Sequence, residues 1–424
     1  MFRFLFAFGL CWICSGQSIN PTSKPIWNAT YTDLLKKDLL IGYDKFARPA
    51  QHYNMTVVSV KLTIRHVELD EDKSVFSAYG WLASQWKDEK LKWKESDYGG
   101  LTSVHMADHE LWQPDLLLYN GATGTLTDMY GNSHCIVQSS GDILWVPPTH
   151  YQSFCQLDLR LWPFDTQECT ILMGSWTHHG EQIDLQINDK GVELDLSTEN
   201  NQWEVTKASA TRHQKYYIPN PEPYLDVTFN FTLVRRSPMY KTVVITPAVG
   251  VILMTLANFW LPAQSGEKIL LNGVNALIIV TFLTYFAQRL PSMAIHTPLV
   301  VLFYSSALYM VSFSMIISVI VINLSKTKQA QAIPWYLKRV LDGYFGTVLG
   351  LKRISGLAPK QPIAEELRDQ PFDEHVTSDD HHIIQSCSKG PIQQDYIILA
   401  TAIDRVAFLI YCFVFIVLAI TYSV

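Results

Sequence analysis

"CQLDLRLWPFDTQEC", residues 155–169, decides how the rest of the chain is read. Two cysteines bracket an apolar run that ends in Trp162-Pro163-Phe164, followed by Asp165. Surface loops are ordinarily polar because their backbone groups face water, so a greasy, proline-stiffened tip is expected to touch another part of the protein. A disulfide around such a loop calls for an oxidising compartment. The N-terminus supplies a route to one. MFRFLFAFGLCWICSGQS has an early arginine, an apolar stretch and small residues at Ser15-Gly16, the pattern of a signal peptide over residues 1–18. Cys11 and Cys14 would leave with that leader, and Cys387 and Cys412 fall in later segments. Cys155 with Cys169 is then the natural pair, and Cys135 reads as a buried strand thiol. Asn28, Asn54 and Asn230 each open a glycosylation sequon, as suits an exported segment.

From the loop outward the chain divides in two. Residues 19–237 read as β: Val58, Val60, Leu62 and Ile64 alternate with polar residues, as do Val227, Phe229, Phe231 and Leu233. Period-two patterning buries one face and wets the other, which predicts antiparallel sheets packed as a sandwich. A short amphipathic helix is expected over residues 30–41. After Arg236 the composition changes. Residues 243–261, 269–288, 298–323 and 406–424 carry no charge, and each is about the length of a membrane-spanning helix, roughly 20 residues. Three spans occupy 238–323 and a fourth 403–424, so residues 324–402 are expected inside the cell. Lys326, Lys328, Lys338 and Arg339 agree with the positive-inside tendency. Within that stretch, residues 333–351 read as one amphipathic helix at the inner membrane face, and 356–390 as a disordered tract. The adjacent His381 and His382 read as solvated rather than metal-binding, so no metal and no cofactor is expected. A net charge of −6 gives no sign of a nucleic-acid binder, whose footprint is a basic face, and four spans exclude a soluble enzyme.

In the second span, Glu267, Leu270, Val274, Leu277, Thr281, Thr284 and Gln288 step by three and four and fall on one helical seam. Such a seam serves as packing within a bundle or, in a ring of helices, as the wall of a pore. In a ring, carboxylates would select ions at one mouth and apolar side chains would gate by dewetting.

With these features together the chain resembles the Cys-loop pentameric ligand-gated ion channels, on the nicotinic acetylcholine receptor side. The residues that carry the resemblance are the 155–169 loop, WQPDLLLYN (112–120), GSWTHHGE (174–181), WLASQWKDEKLKW (81–93), RRSPMY (235–240) and FWLPAQSGEK (259–268), with four spans in the family's order. The resemblance implies an extracellular all-β sandwich ligand-binding domain, an all-α four-helix transmembrane bundle and a pentamer in the plasma membrane, in some members postsynaptic. Its implied ligand is a small amine such as acetylcholine or a choline-like compound, held in an aromatic box by cation–π attraction. Tyr119, Trp176, Tyr217 and Tyr224 would form the principal face. Trp81 would come from the neighbour's complementary face, with Ile136, Leu144 and Val146 as apolar walls. One chain would thus hold both halves, permitting a homopentamer as well as hetero-pentamers, with membrane lipids around it.

The pattern is not followed everywhere. The adjacent cysteines of α subunits are replaced by Pro219-Asn220, which makes this a non-α chain. Leu172 stands where a lysine would pair with the acid matched by Asp226, and His178-His179 would add positive charge at low pH. In the pore, Glu267 favours cations, whereas Leu270, Val274 and Leu277 make a long dry section. That section favours the alternative of a non-conducting or accessory subunit. For coupling between site and pore the resemblance implies a Glu71–Arg236 pair and contact from Trp162, Pro163 and Phe164, with a cis bond at Pro163.

Overall fold

A computed structural model describes residues 28–51, 53–122, 128–129, 133–219, 221–236, 238–291, 295–327, 331–351 and 391–422. The signal peptide, Asn220, His381-His382 and the whole 356–390 tract lie outside these residues. Helix α1 (Tyr31–Leu40) opens with a capping box between Thr30 and Asp33 and buries Leu35. Strands follow in order: β1 (Thr56–Asp70), β2 (Val75–Lys87), β3 (Ser103–Ala107), β4 (Leu116–Leu118), β5 (Asp128–Met129), β6 (His134–Gln138), β7 (Asp142–Trp145), β8 (Pro148–Phe154), β9 (Thr166–Ser175), β10 (Ile183–Glu193), β11 (Trp203–Tyr216) and β12 (Pro223–Arg235).

They form an eight-stranded sheet along β10-β1-β2-β7-β6-β3, with β8 and β5 joined through β2, and a four-stranded sheet β11-β12-β9-β4. The pairings are antiparallel except β1 with β10, which is parallel and departs from the all-antiparallel expectation. The alternating residues behave as the pattern predicts. Val58, Val60, Leu62 and Ile64 from one sheet and Val227, Phe229, Phe231 and Leu233 from the other are fully buried in a common core. Phe76 meets Phe231 across it, ring centroids 5.3 Å apart. Such an aromatic pair contributes about 0.5–1.5 kcal/mol beyond its area.

Among the described residues, four helices are long and apolar enough to cross a membrane: α2 (Pro238–Asn258), α3 (Glu267–Arg289), α4 (Leu299–Lys326) and the last, α7 (Pro391–Tyr422). Between α4 and α7 lie α5 (Trp335–Asp342) and α6 (Tyr344–Val348). The single amphipathic helix expected over 333–351 is therefore two. Gly343 takes an extended ψ of −163° between them. Gly346 comes so close to the Leu341 carbonyl that a Cβ there would lie 1.6 Å from its oxygen. Helix α7 (Pro391–Tyr422) begins well before residue 403. Hydropathy hides that extra length because Asp395 lies in it and Asp404 follows directly after it. Both are paired, Asp395 with Lys338 at 2.7 Å and Asp404 with Lys268 at 2.5 Å.

The helices are joined by polar side chains. Asn258 donates to Ser314 and Ser318, Asn272 donates to Ser318, and Asn275 donates to Thr255 and the Val251 carbonyl. In a hydrocarbon surrounding, such interhelical hydrogen bonds hold α2, α3 and α4 together, since lipid offers no hydrophobic drive between them.

Candidate functional site

The loop quoted at the outset is closed by a Cys155–Cys169 disulfide with an S–S distance of 2.00 Å. It links the end of β8 to β9 and so ties the two sheets together. Cys135 is a free, buried thiol on β6, and burial pushes its pKa up to about 12. Trp162-Pro163 is a cis peptide bond, as is Ile218-Pro219. Trp162 is buried against the helices, 5.6 Å from Tyr240 of α2 and 6.0 Å from Phe286 of α3 by ring centroids. Phe164 is half exposed, with Lys241 Nζ 5.0 Å above its ring. Behind the tip, the Leu299 amide donates to the Arg160 carbonyl at 2.9 Å, and the Ile295 amide to the Leu157 carbonyl at 3.4 Å. The apolar tip is thus a contact between sandwich and bundle.

Beside it lies a buried charge cluster. Arg235 donates from Nη1 to Glu71 at 2.6 Å and from Nε and Nη2 to the two Asp165 oxygens at 2.6 and 3.0 Å. Its guanidinium stacks 4.3 Å over Trp203, and Gln167 donates to Asp165 at 2.7 Å. Burial disfavours the charged arginine, but the two carboxylates outweigh that and raise its pKa. The expected Glu71–Arg236 pair is corrected here: Arg236 instead binds Glu204 at 2.7 Å on the surface. The reason is strand alternation. Arg235, the last residue of β12, points into the junction, and its neighbour must point out.

The expected ligand residues fall into two groups on different sheets. On the four-stranded sheet, Tyr119 follows β4, Trp176 follows β9, Tyr217 follows β11, and Tyr224 lies in β12. Tyr119 and Trp176 meet edge to face at 6.0 Å, and Tyr217 and Tyr224 do so at 5.7 Å. Tyr119 donates to the Ser175 carbonyl at 2.6 Å and lies within electrostatic reach of both other tyrosines. Burial pushes its phenol pKa up, and the neighbouring oxygens push it further. Trp176 is 59% and Tyr217 48% exposed, an unusual waste of aromatic area for a finished surface. On the eight-stranded sheet, Trp81 lies in β2, Ile136 and Leu144 are register partners on β6 and β7, and Val146 is exposed just beyond. The single chain therefore brings the four principal residues together and keeps the complementary ones apart from them.

Three charge features escape a reading by motif. Arg65 holds its guanidinium 5.4 Å from the Trp81 ring centroid, so that ring already faces a cation. Asp226 is not left without a cation by Leu172: Lys215 and His213, both on β11, approach it at 3.1 and 3.0 Å. His178 likewise meets Asp115 at 3.2 Å. Burial alone would raise the Asp115 pKa, but hydrogen bonds from Ser175, Thr177 and His178 lower it overall.

On α3, Glu267, Leu270, Val274, Leu277, Thr281, Thr284 and Gln288 all lie on the exposed side in the single chain, with Leu270 and Leu277 68% and 67% exposed. Lys268, Asn272, Asn275, Ile279 and Phe286 fill the opposite, buried side. The seam is not the whole exposed surface of α3: Ile269 and Val280 are 43% and 46% exposed as well. Residues 32–237 match the neurotransmitter-gated ion-channel ligand binding domain, and residues 244–360 match the neurotransmitter-gated ion-channel transmembrane region.

The chain belongs to the neurotransmitter-gated ion-channel family.

Among relatives, acetylcholine receptor subunit alpha-like 2 of Drosophila melanogaster is 33% identical over 349 residues, 77% of this chain and 58% of the fly protein. Acetylcholine receptor subunit alpha-type acr-16 of Caenorhabditis elegans is 31% identical over 359 residues, 81% of this chain and 72% of the nematode protein. Neuronal acetylcholine receptor subunit non-alpha-3 of Carassius auratus is 33% identical over 308 residues, 72% of this chain and 66% of the fish protein. The chain thus spans somewhat over half the length of the fly relative.

Proposed function

We propose that the chain is one subunit of a pentameric, ligand-gated, cation-selective channel of the plasma membrane, with its β-sandwich outside the cell. The observation that carries this reading is the cluster of Tyr119, Trp176, Tyr217 and Tyr224, two of them largely exposed, on the sheet that does not contain Trp81. A box assembled from Trp81 of one copy and those four residues of the next would enclose a small organic cation against aromatic faces, whose electron-rich π surface attracts charge without needing a proton. Arg65 must swing off Trp81 or share the box, which favours a ligand compact enough to leave room for it. Glycans on Asn28, Asn54 and Asn230 would sit on the sandwich. Asn230 is half-buried and donates to Thr211 at 3.3 Å, and a sugar on its Nδ2 would leave one N–H for that bond.

In the pore, Lys268 is turned into the bundle and neutralised by Asp404, while Glu267 is exposed. Five Glu267 carboxylates at the inner mouth would concentrate cations. The 155–169 tip and the Glu71–Asp165–Arg235 cluster lie where strain from the site reaches α2, α3 and the segment before α4, a bistable contact of the kind coupling requires.

The test is expression of the chain alone, with electrical recording against a panel of quaternary and protonated amines. Evoked current that Trp176→Ala abolishes, with surface level unchanged, agrees with the proposal. A second reading, a non-conducting accessory subunit, is favoured by the outward Leu270, Val274 and Leu277, which make three dry rings in succession. It predicts surface protein that binds such amines and passes current only beside other subunits.

A further inference from the structure

We propose that Arg65 sets the ligand class of the interfacial box: a small zwitterion, whose ammonium meets the aromatic cluster and whose carboxylate meets Arg65 of the adjoining copy. The assignment rests on the box proposed above and adds what its complementary face can recognise. Arg65 is brought there by a fault in strand pairing. β1 runs against β2 with Thr63 opposite Trp81 and Ile64 opposite Gly80, but the next pair is His66 with Tyr79. Arg65 is therefore the extra residue of a β-bulge, a device that re-aims one side chain out of the regular alternation. Burial follows the same fault: between the buried Ile64 and Val67 two residues in succession, Arg65 and His66, stand out of the core. Gly80 makes the fit possible, since a Cβ there would lie 2.0 Å from the Thr63 carbonyl oxygen. Thr198 holds the bulge, donating from its amide and its hydroxyl to the Arg65 carbonyl at 2.8 and 2.9 Å.

The side chain so aimed lacks a counter-ion. Arg65 is exposed, its guanidinium lies 5.4 Å from the Trp81 ring centroid, and among the described residues it pairs with no carboxylate. The acids of its own strand and of β10 are engaged elsewhere. Glu193 and Asp189 hold Lys61 at 2.9 and 3.6 Å, and Asp184 holds Arg212 at 2.7 Å. Glu68 meets His66 at 3.4 Å and Asp70 meets Lys73 at 3.0 Å. A cation already on the Trp81 face repels a second one, so a simple quaternary amine would enter against like charge. A carboxylate on the ligand reverses that balance, because the guanidinium fork takes it through two parallel N–H···O bonds. The opposite wall suits the other end of the ligand. Tyr119, Trp176, Tyr217 and Tyr224 offer electron-rich faces and carry no positive charge. The two sheets thus sort the two charges: ammonium to the four-stranded one, carboxylate to the eight-stranded one.

The probes are trimethylammonioacetate and its longer homologues, each beside its methyl ester, which keeps the ammonium and masks the acid. Binding to the purified full-length protein in detergent is read by titration calorimetry. For at least one chain length the acid should bind about tenfold more tightly than its ester, as for one charge-assisted hydrogen bond. Arg65→Gln should abolish or invert that preference. Arg65→Lys, which keeps the charge but not the fork, should lower it about threefold. Trp176→Ala should weaken acid and ester alike, since it removes only the wall of the ammonium. Esters that bind at least as tightly as every acid, and that Trp176→Ala still weakens, overturn the zwitterion while the box stands. A preference for acid that survives Arg65→Gln overturns the role of Arg65; should that variant fail to assemble, an undiminished preference in Arg65→Lys does so. Binding of neither probe, or binding indifferent to Trp176→Ala, removes the box and this inference with it.

Discussion

Arg235 carries one positive charge between two carboxylates, Glu71 and Asp165, and all three are removed from water. Taking away one partner of such a cluster strands an uncompensated charge, at a cost of about 3–5 kcal/mol. Arg235→Gln is therefore expected to unfold or mislocalise much of the protein, read as lost surface labelling and a lowered melting temperature in detergent. Arg236→Gln, which breaks only the exposed bond to Glu204, should leave both near the unaltered values. The reverse order would mean that the sequence-based Glu71–Arg236 pairing is the working one. The exchange of 235 for 236 also marks where sequence reasoning stopped. Two adjacent arginines at the end of a strand differ only in which face they point to, and the register that decides this comes from pairing with β9 and β11. Arg65 on Trp81 was hidden for the same reason, because it is a contact between strands that no local motif announces.

For whole elements the sequence was more informative. Period two in β1 and β12 placed the buried rows correctly, because burial of one sheet face leaves that imprint directly. The sequence leaves the three-and-four seam of α3 open between packing and pore wall, and in the single chain its residues are exposed. What escaped were features set by tertiary contact. Asn258, Asn272 and Asn275 carry no motif that marks them in the sequence, yet they form the polar joints between helices. The charged start of α7 looked like loop until its acids were seen paired. The seam itself makes a prediction. Leu277 ends the dry stretch and is the middle residue of the seam; in the proposed pore its ring would help to hold the closed state by excluding water. Leu277→Thr should wet that ring and favour opening, lowering the agonist concentration for half-maximal current by about tenfold, a shift of about 1.4 kcal/mol in the closed–open balance. An unchanged or raised concentration would move the barrier away from 277.

In the whole molecule, two groups of aromatic residues on different sheets, an exposed seam on α3 and a disulfide-closed tip against the helices fit the proposed arrangement: copies around an axis, with ligand between sandwiches and ions along the axis. Family membership and the four spans were apparent in the sequence because they rest on local motifs and on hydropathy. The ligand and the ion were not, since both depend on what neighbouring copies place opposite one another. Selectivity is the most direct test of the assembled arrangement, because it requires five Glu267 carboxylates around a common path. The measurement is the reversal potential of ligand-evoked current when external sodium chloride is replaced in part by an uncharged osmolyte. A shift to more negative potentials, following the sodium gradient and reduced in Glu267→Gln, is the predicted result. A shift to more positive potentials, following chloride, would contradict it.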